Sequence, residues 1–192
     1  MTSPRHPYSS AKIRVMTLRE AVMARPRMYF GDAPHHDRPI ILLAWAVGLL
    51  QKFVLPQSPR VRVVVRTDGA FEVGAQFAVV PIPRSLDTVE EVLLGAAWWT
   101  ELCRSSHVTA SGQADAGSDE FGLRLVEVES PVMQFACDPD VVGAGAQTWW
   151  PGWLDRLPSV LAAMPSPSTH DVVIAVDQAT GEQRILRPSR AE

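Results

Sequence analysis

Few residues in this sequence have the types and spacing that chemistry needs. His35, His36 and Asp37 are consecutive, and Cys103 and His107 stand four apart. Imidazole, carboxylate and thiolate are metal-ligating groups, but a metal site shows paired ligands at fixed spacing with a third and fourth in view. The sequence offers no such set, so 35–37 reads as a loop with two solvated imidazoles. Cys103 and Cys137 read as small buried hydrophobes rather than a nucleophile, since no His/Asn partner is recognisable. A serine nucleophile of the hydrolase type sits in a G-x-S-x-G elbow, and the sequence contains none. Asparagine does not occur at all, and of 18 cationic residues only Lys12 and Lys52 are lysine. Any reaction that requires an Asn side chain is closed to this protein.

The composition narrows the class further. With 192 residues, 46% hydrophobic and 20% charged, the chain can close one core and is neither a disordered nor a coiled-coil protein. A net charge of -3 argues against nucleic acid as partner, because phosphate-seeking surfaces leave a chain basic. The charge is uneven: residues 1–30 hold six basic side chains against Glu20 alone. Two cysteines make no disulfide framework, and the polar start MTSPRHPYSS is not a signal peptide. The longest apolar run, Ile40–Leu50, is 11 residues, short of the ~18 that a membrane span needs. The expectation is a soluble, cytoplasmic domain at residues 12–187, preceded by a flexible arm at 1–11 and followed by a tail at 188–192.

The elements that would position any site follow from capping and periodicity. Thr17-Leu18-Arg19-Glu20 forms a capping box, and Pro26 stops the helix it opens. A second helix from about Asp37 to Lys52, with Pro39 in its first turn, is apolar all round and therefore buried. VRVVVRTDGAFEV predicts two strands joined at Asp68-Gly69, a hairpin signal because both turn residues tolerate positive φ. Asp87-Thr-Val-Glu90 opens a helix to about Arg104. Val108–Ala110, Leu123–Glu129 and Val132–Cys137 read as strands. Trp153, Leu154, Leu157, Val160, Leu161 and Met164 keep helical spacing, with Pro158 expected to kink that helix. Asp171–Asp177 and Gln183–Leu186 make a closing hairpin. The predicted class is α+β, an antiparallel-rich mixed sheet covered by helices on one face.

Within this order, AKIRVMTLREAVMARPRMYFGD (Ala11–Asp32) resembles the N-terminal signature of the DNA gyrase B and topoisomerase IV ATPase domain, of the GHKL superfamily and Bergerat fold. The family's R-P-G-M-Y-I-G-D is matched by Arg25, Pro26, Met28, Tyr29, Gly31 and Asp32, with Arg27 in place of glycine. The resemblance extends weakly over residues 8–186, including Asp68, Gly69, Val73 and Pro81 in the family's strand-turn-strand, Gly95–Cys103 and Phe135–Asp140.

The resemblance implies an ATP site whose working groups are missing. Carried over by position, the helix Glu that would serve as general base is Ala44, and the Asn that would hold Mg²⁺ is Gly48. The adenine-binding Asp falls on Ala75, where a methyl accepts no hydrogen bond. Two flexible glycines fall on Phe77 and Val79, whose side chains would enter the base's space. The Gly-rich lid that wraps phosphates with backbone amides is deleted, TVEEVLL passing straight into GAAWWTEL. The stretch Gly112 to Gly117 follows that helix, whereas the family's lid precedes it. No catalytic residue, cofactor or metal is therefore expected.

The remaining reading is an inactive, pseudo-ATPase module acting as a protein-interaction or regulatory subunit. A gyrase-like chain or a neighbour-encoded protein would be its partner, with no membrane involved. Trp149, Trp150 and Trp153 are candidate contact residues with Arg25 and Arg27, since Trp and Arg dominate interface hot spots. In Trp98-Trp99 one ring is expected inside and the other outward. In the resembling family an N-terminal arm crosses to the sister subunit, so Tyr8 would suit a homodimer. The alternative is a divergent ATPase or small-ligand binder with a remodelled pocket.

Overall fold

The computed structural model describes residues 15–53, 60–68, 70–142, 152–163 and 172–187. Its first helix, α1 (Leu18–Ala24), starts from the Thr17–Glu20 capping box, with both reciprocal hydrogen bonds formed. Arg25 then serves two helices, closing α1 and opening α2 (Pro26–Phe30), where Pro26 occupies the first turn. Pro26 thus does more than stop a helix: its fixed φ and missing N–H suit the start of the next one. Gly31 ends α2 at φ 59 and ψ -143, a conformation open to glycine and strained for other residues. The signature Arg25-Pro-Arg-Met-Tyr-Phe-Gly-Asp is accordingly a helix-turn-helix joint made by one proline and one glycine.

A 3-10 turn, His35–Asp37, leads into α3 (Arg38–Gln51), with Pro39 in its first turn as expected. Ile40, Leu42, Leu43, Ala44, Ala46, Val47, Leu49 and Leu50 are buried. Arg38, Ile41, Trp45, Gly48 and Gln51, spaced by three or four, are half-buried, which is one face of a helix. The other side of α3 packs on the sheet and on α6 (Trp153–Ala163), which comes after the short α5 (Pro139–Val142).

Seven strands form one sheet: β1 (Arg60–Val65), β2 (Ala70–Ala75), β3 (Phe77–Ile82), β4 (Cys103–Ser118), β5 (Arg124–Cys137), β6 (Val172–Asp177) and β7 (Gln183–Leu186). β1 and β2 are the expected hairpin, Val63 facing Val73, and the Asp68 carboxylate accepts the Ala70 N–H across the turn. Gly69 lies outside the described residues. β1 pairs with β6 in parallel, the remaining pairings being antiparallel, and β6 turns back into β7. β2 and β3 run end to end along one edge of β5, and β4 follows its other edge. The antiparallel-rich mixed sheet and the α+β class are as the sequence predicts.

Several elements differ from expectation, among them β3, which the sequence reading does not include. The helix opened by Thr88, α4 (Val89–Ala96), ends at Ala97 rather than Arg104, and a 3-10 turn, Trp98–Leu102, carries the chain into β4. Pairing with β5 from Cys103 onward claims residues that local pattern would leave helical. The separate strands at 123–129 and 132–137 are one strand, β5. Ser130, at φ 48, absorbs the interruption at Ser130-Pro131, and its N–H donates to the Gln76 carbonyl between β2 and β3. Such a bulge lets a strand pass a proline that cannot join the ladder. Likewise 108–110 is the middle of β4, which spans 16 residues with four register shifts. Gly112 and Gly117 therefore sit in a strand and not in a lid. The segment Pro83–Thr88 alone joins β3 to α4.

Candidate functional site

The half-buried stripe of α3 meets α2 and the Trp98 turn in an aromatic cluster. Phe30 stacks on Trp45 with centroids 5.8 Å apart and planes 12° from parallel. Trp45 meets Trp98 at 5.0 Å, and Tyr29 lies 6.4 Å from Trp98. The Arg38 guanidinium sits 5.4 Å over the Phe30 ring, within cation–π range. Trp99, the next residue, is buried against Phe135 at 4.6 Å. One ring of the pair is core and the other is 49% exposed, as the sequence predicts.

This cluster borders solvent. Met28 is 72% exposed and Met23 53%. Trp and Met side chains at a surface supply adaptable apolar contact area. Arg25 and Arg27 are exposed beside them, and Arg27 lies 3.4 Å from the Asp32 carboxylate. On the far side of α2, Arg27, Gly31, Asp32, Ala33, His35 and Arg38 line an open depression of about 590 Å³. The Arg38 Nε is buried there without a hydrogen-bond partner among the described residues.

The positions that the resemblance makes functional lie elsewhere, Gly48 excepted. Ala44 is 0% and Ala75 6% exposed, both in the core between α3 and the sheet. Gly48 is on the half-buried stripe. Phe77 and Val79 alternate with the buried Ala78 and Val80, so they point to the opposite face of β3. The Val79 N–H meets the Phe53 carbonyl at the end of α3.

Trp153 is a correction. Its ring is 0% exposed, and its indole N–H donates to the Asp177 carboxylate at 3.0 Å. Asp177, itself buried, also accepts the Ala179 and Thr180 N–H groups. The residue locks α6 to the β6–β7 turn and offers no contact surface. Its helix also continues through Pro158 to Ala163. Tyr8, Trp149 and Trp150 lie outside the described residues, as do the proposed arm and tail. Sequence reasoning did not single out Phe30, Arg38 or Trp45, and only their surroundings in space unite them with Trp98.

His35 and His36 are exposed, and His36 lies 3.7 Å from Asp37, whose carboxylate is held by Arg156. Among the described residues no group of three or more His, Cys, Asp or Glu could hold a metal ion. No described helix is long and apolar enough to cross a membrane.

No family model matches the chain, and no curated protein matches it. The 43K ATPase domain of Thermus thermophilus gyrase B, solved in complex with an aminocoumarin, is similar to it with a TM-score of 0.49 and 17% sequence identity. The match covers 90% of this chain and 52% of that one, so the chain spans about half the length of that structure.

Proposed function

We propose that this chain is a catalytically inactive, gyrase-B-like module that works as a protein-interaction or regulatory subunit. The observation that carries the reading is the burial of Ala44 and Ala75 in one closed core. At the two positions where the resemblance implies a general base and an adenine acceptor stand buried methyl groups. A base must take a proton from water and an adenine acceptor must receive a hydrogen bond, and neither alanine side chain can do so. The contact role is supported by the exposed Trp98, Met28 and Arg27 around the aromatic cluster, residue types that concentrate binding energy. The partner would be a gyrase-like or neighbour-encoded protein, and a homodimer through the N-terminal arm remains part of the proposal.

Calorimetry with Mg²⁺-ATP at millimolar concentration is expected to give no saturable heat, and phosphate release no activity. Saturable ATP binding that Ala75→Arg abolishes would overturn the inactive reading. For the contact role, a host-protein partner captured by wild type is expected to be lost with Trp98→Ala while the melting curve stays cooperative. Light scattering with and without residues 1–12 tests the arm. A monomer in both forms that captures no specific partner removes the interaction reading.

A second reading, a remodelled small-ligand pocket, has one observation in its favour. Arg27 and Arg38 bring cationic groups to the lining of the same depression, where the Arg38 Nε has no hydrogen-bond partner among the described residues. A thermal-shift screen of small anions that raises the melting temperature, and fails to do so in Arg38→Ala, would favour it.

A further inference from the structure

We propose that Cys103 and Cys137 are a reversible dithiol–disulfide pair that ties the base of the β4–β5 ribbon. They are the only two cysteines in the chain, and they face one another directly as the first residue of β4 and the last of β5. The Asp138 N–H donates to the Leu102 carbonyl at 3.3 Å, a bond between the residues just outside the pair. In an antiparallel ladder that bond frames a non-hydrogen-bonded pair, whose Cα atoms stand about 4.5 Å apart with side chains on one face. A disulfide spans Cα separations of roughly 4.4–6.8 Å, so a pair of this type is within bridging reach, with the register shift between Cys103 and Ser105 beginning just beyond it. Both thiols are free in this structure.

The two thiols have different access, which sets the order of events. Cys103 is half-buried and Cys137 buried. A low-molecular-weight disulfide such as oxidised glutathione meets the Cys103 thiolate first. The new S–S bond forms as the reagent's own S–S bond breaks, releasing one glutathione thiolate. The Cys137 thiolate then attacks the Cys103 sulfur and releases the second. The two protein thiol protons pass to the two departing thiolates, so the protein is oxidised by two electrons and the reagent reduced by two. Burial, with the Asp138 carboxylate adding to it, holds the Cys103 thiol up at about 12. Burial raises Cys137 as well, with Cys103 and Asp138 adding and Arg104 opposing. Thiolate is scarce at neutral pH, so exchange is slow. The pair suits a response to sustained oxidation and not rapid turnover. When closed, it fixes the residue after the Trp98 turn to the residue before Asp138, and Asp138 is the carboxylate that holds Arg19 of α1 at 2.7 Å.

Reduced full-length protein is incubated with millimolar oxidised glutathione for hours, quenched by alkylation and mapped without reduction. The expected result is a loss of two hydrogens in intact mass and a single peptide pair linked through Cys103 and Cys137. The melting temperature is expected to rise by roughly 5–10 °C, for a disulfide closing a loop of this size, and to return with dithiothreitol. Phenylarsine oxide, a probe of neighbouring dithiols, should bind wild type at one equivalent and neither Cys103→Ser nor Cys137→Ser. Two free thiols, two separate glutathione adducts or only links between chains, while urea-unfolded protein forms the internal link, would overturn the proposal. The wild-type measurement decides even if a variant fails to fold.

Discussion

Trp153 and Trp98 show how differently one residue type can be used in a single core. Trp153 has no exposed surface, and its indole N–H ends on a carboxylate that two backbone amides also hold. A buried polar group in that state is satisfied, and its neighbours are fixed by it. Among the described residues Trp98 rests on Trp45 and Tyr29 through ring contacts, with half its surface open. Ring stacking contributes about 0.5–1.5 kcal/mol and leaves the outer face free. A tryptophan with a buried carboxylate partner is part of the frame, whereas one leaning on other rings at a surface is available to something else.

The largest test of this contrast is Trp153→Ala, expected to cost about 3–5 kcal/mol in urea denaturation. Trp153→Phe keeps most of the packing but removes a donor from Asp177, and a loss of about 1–3 kcal/mol follows. Trp98→Ala should cost less, about 1–3 kcal/mol from ring contacts and half the side chain's burial; a loss as large as that of Trp153→Ala would collapse the distinction. Thr88→Ala removes the capping box at the start of α4, at about 1 kcal/mol. Because α4 leads into the Trp98 turn, hydrogen exchange should quicken at Trp98 before it does at Trp153. The smallest effect is one of pH. Backbone hydrogen bonds from Asp87 and Thr88 lower the Glu91 carboxyl below its ordinary 4.5. The contribution of Glu91 is therefore complete above that value and lost as pH falls through the lowered one. Glu91→Gln should flatten that acid limb of the stability profile; an unchanged limb would show that the carboxylate is not what holds the cap.

Local signals were readable where partners are close in sequence. The capping box at Thr17 and Glu20 needs three residues of separation, the Asp68 turn two, and the burial of α3 follows from its own apolar run. Trp98 and Trp99 parted as adjacent side chains in a helical turn must. Trp153 was misjudged because its carboxylate partner is 24 residues away, beyond any local pattern. The length of β4 was hidden for another reason. Residues 111–118 are exposed on both faces, so no alternation marks them, and only β5 makes them a strand. The aromatic cluster joins α2, α3 and the turn before β4, and nothing in one segment announces the other two. Ala44, Gly48 and Ala75 are singled out only through the resemblance; the burial of Ala44 follows from the apolar run of α3, whereas that of Ala75 depends on what the sheet packs against.

The parallel contact between β1 and β6 sets a timetable for synthesis. β1 finds β2 within a few residues, but its second edge waits for Val172–Asp177. At translation speeds of about 5–20 residues per second, that edge stays unpaired for roughly 5–20 s. During that interval an open backbone edge flanked by Val61, Val63 and Val65 invites pairing with the wrong strand. A chain arrested on the ribosome before residue 172 should stay protease-sensitive and need a chaperone to remain dispersed, and release of the full sheet should end both conditions together.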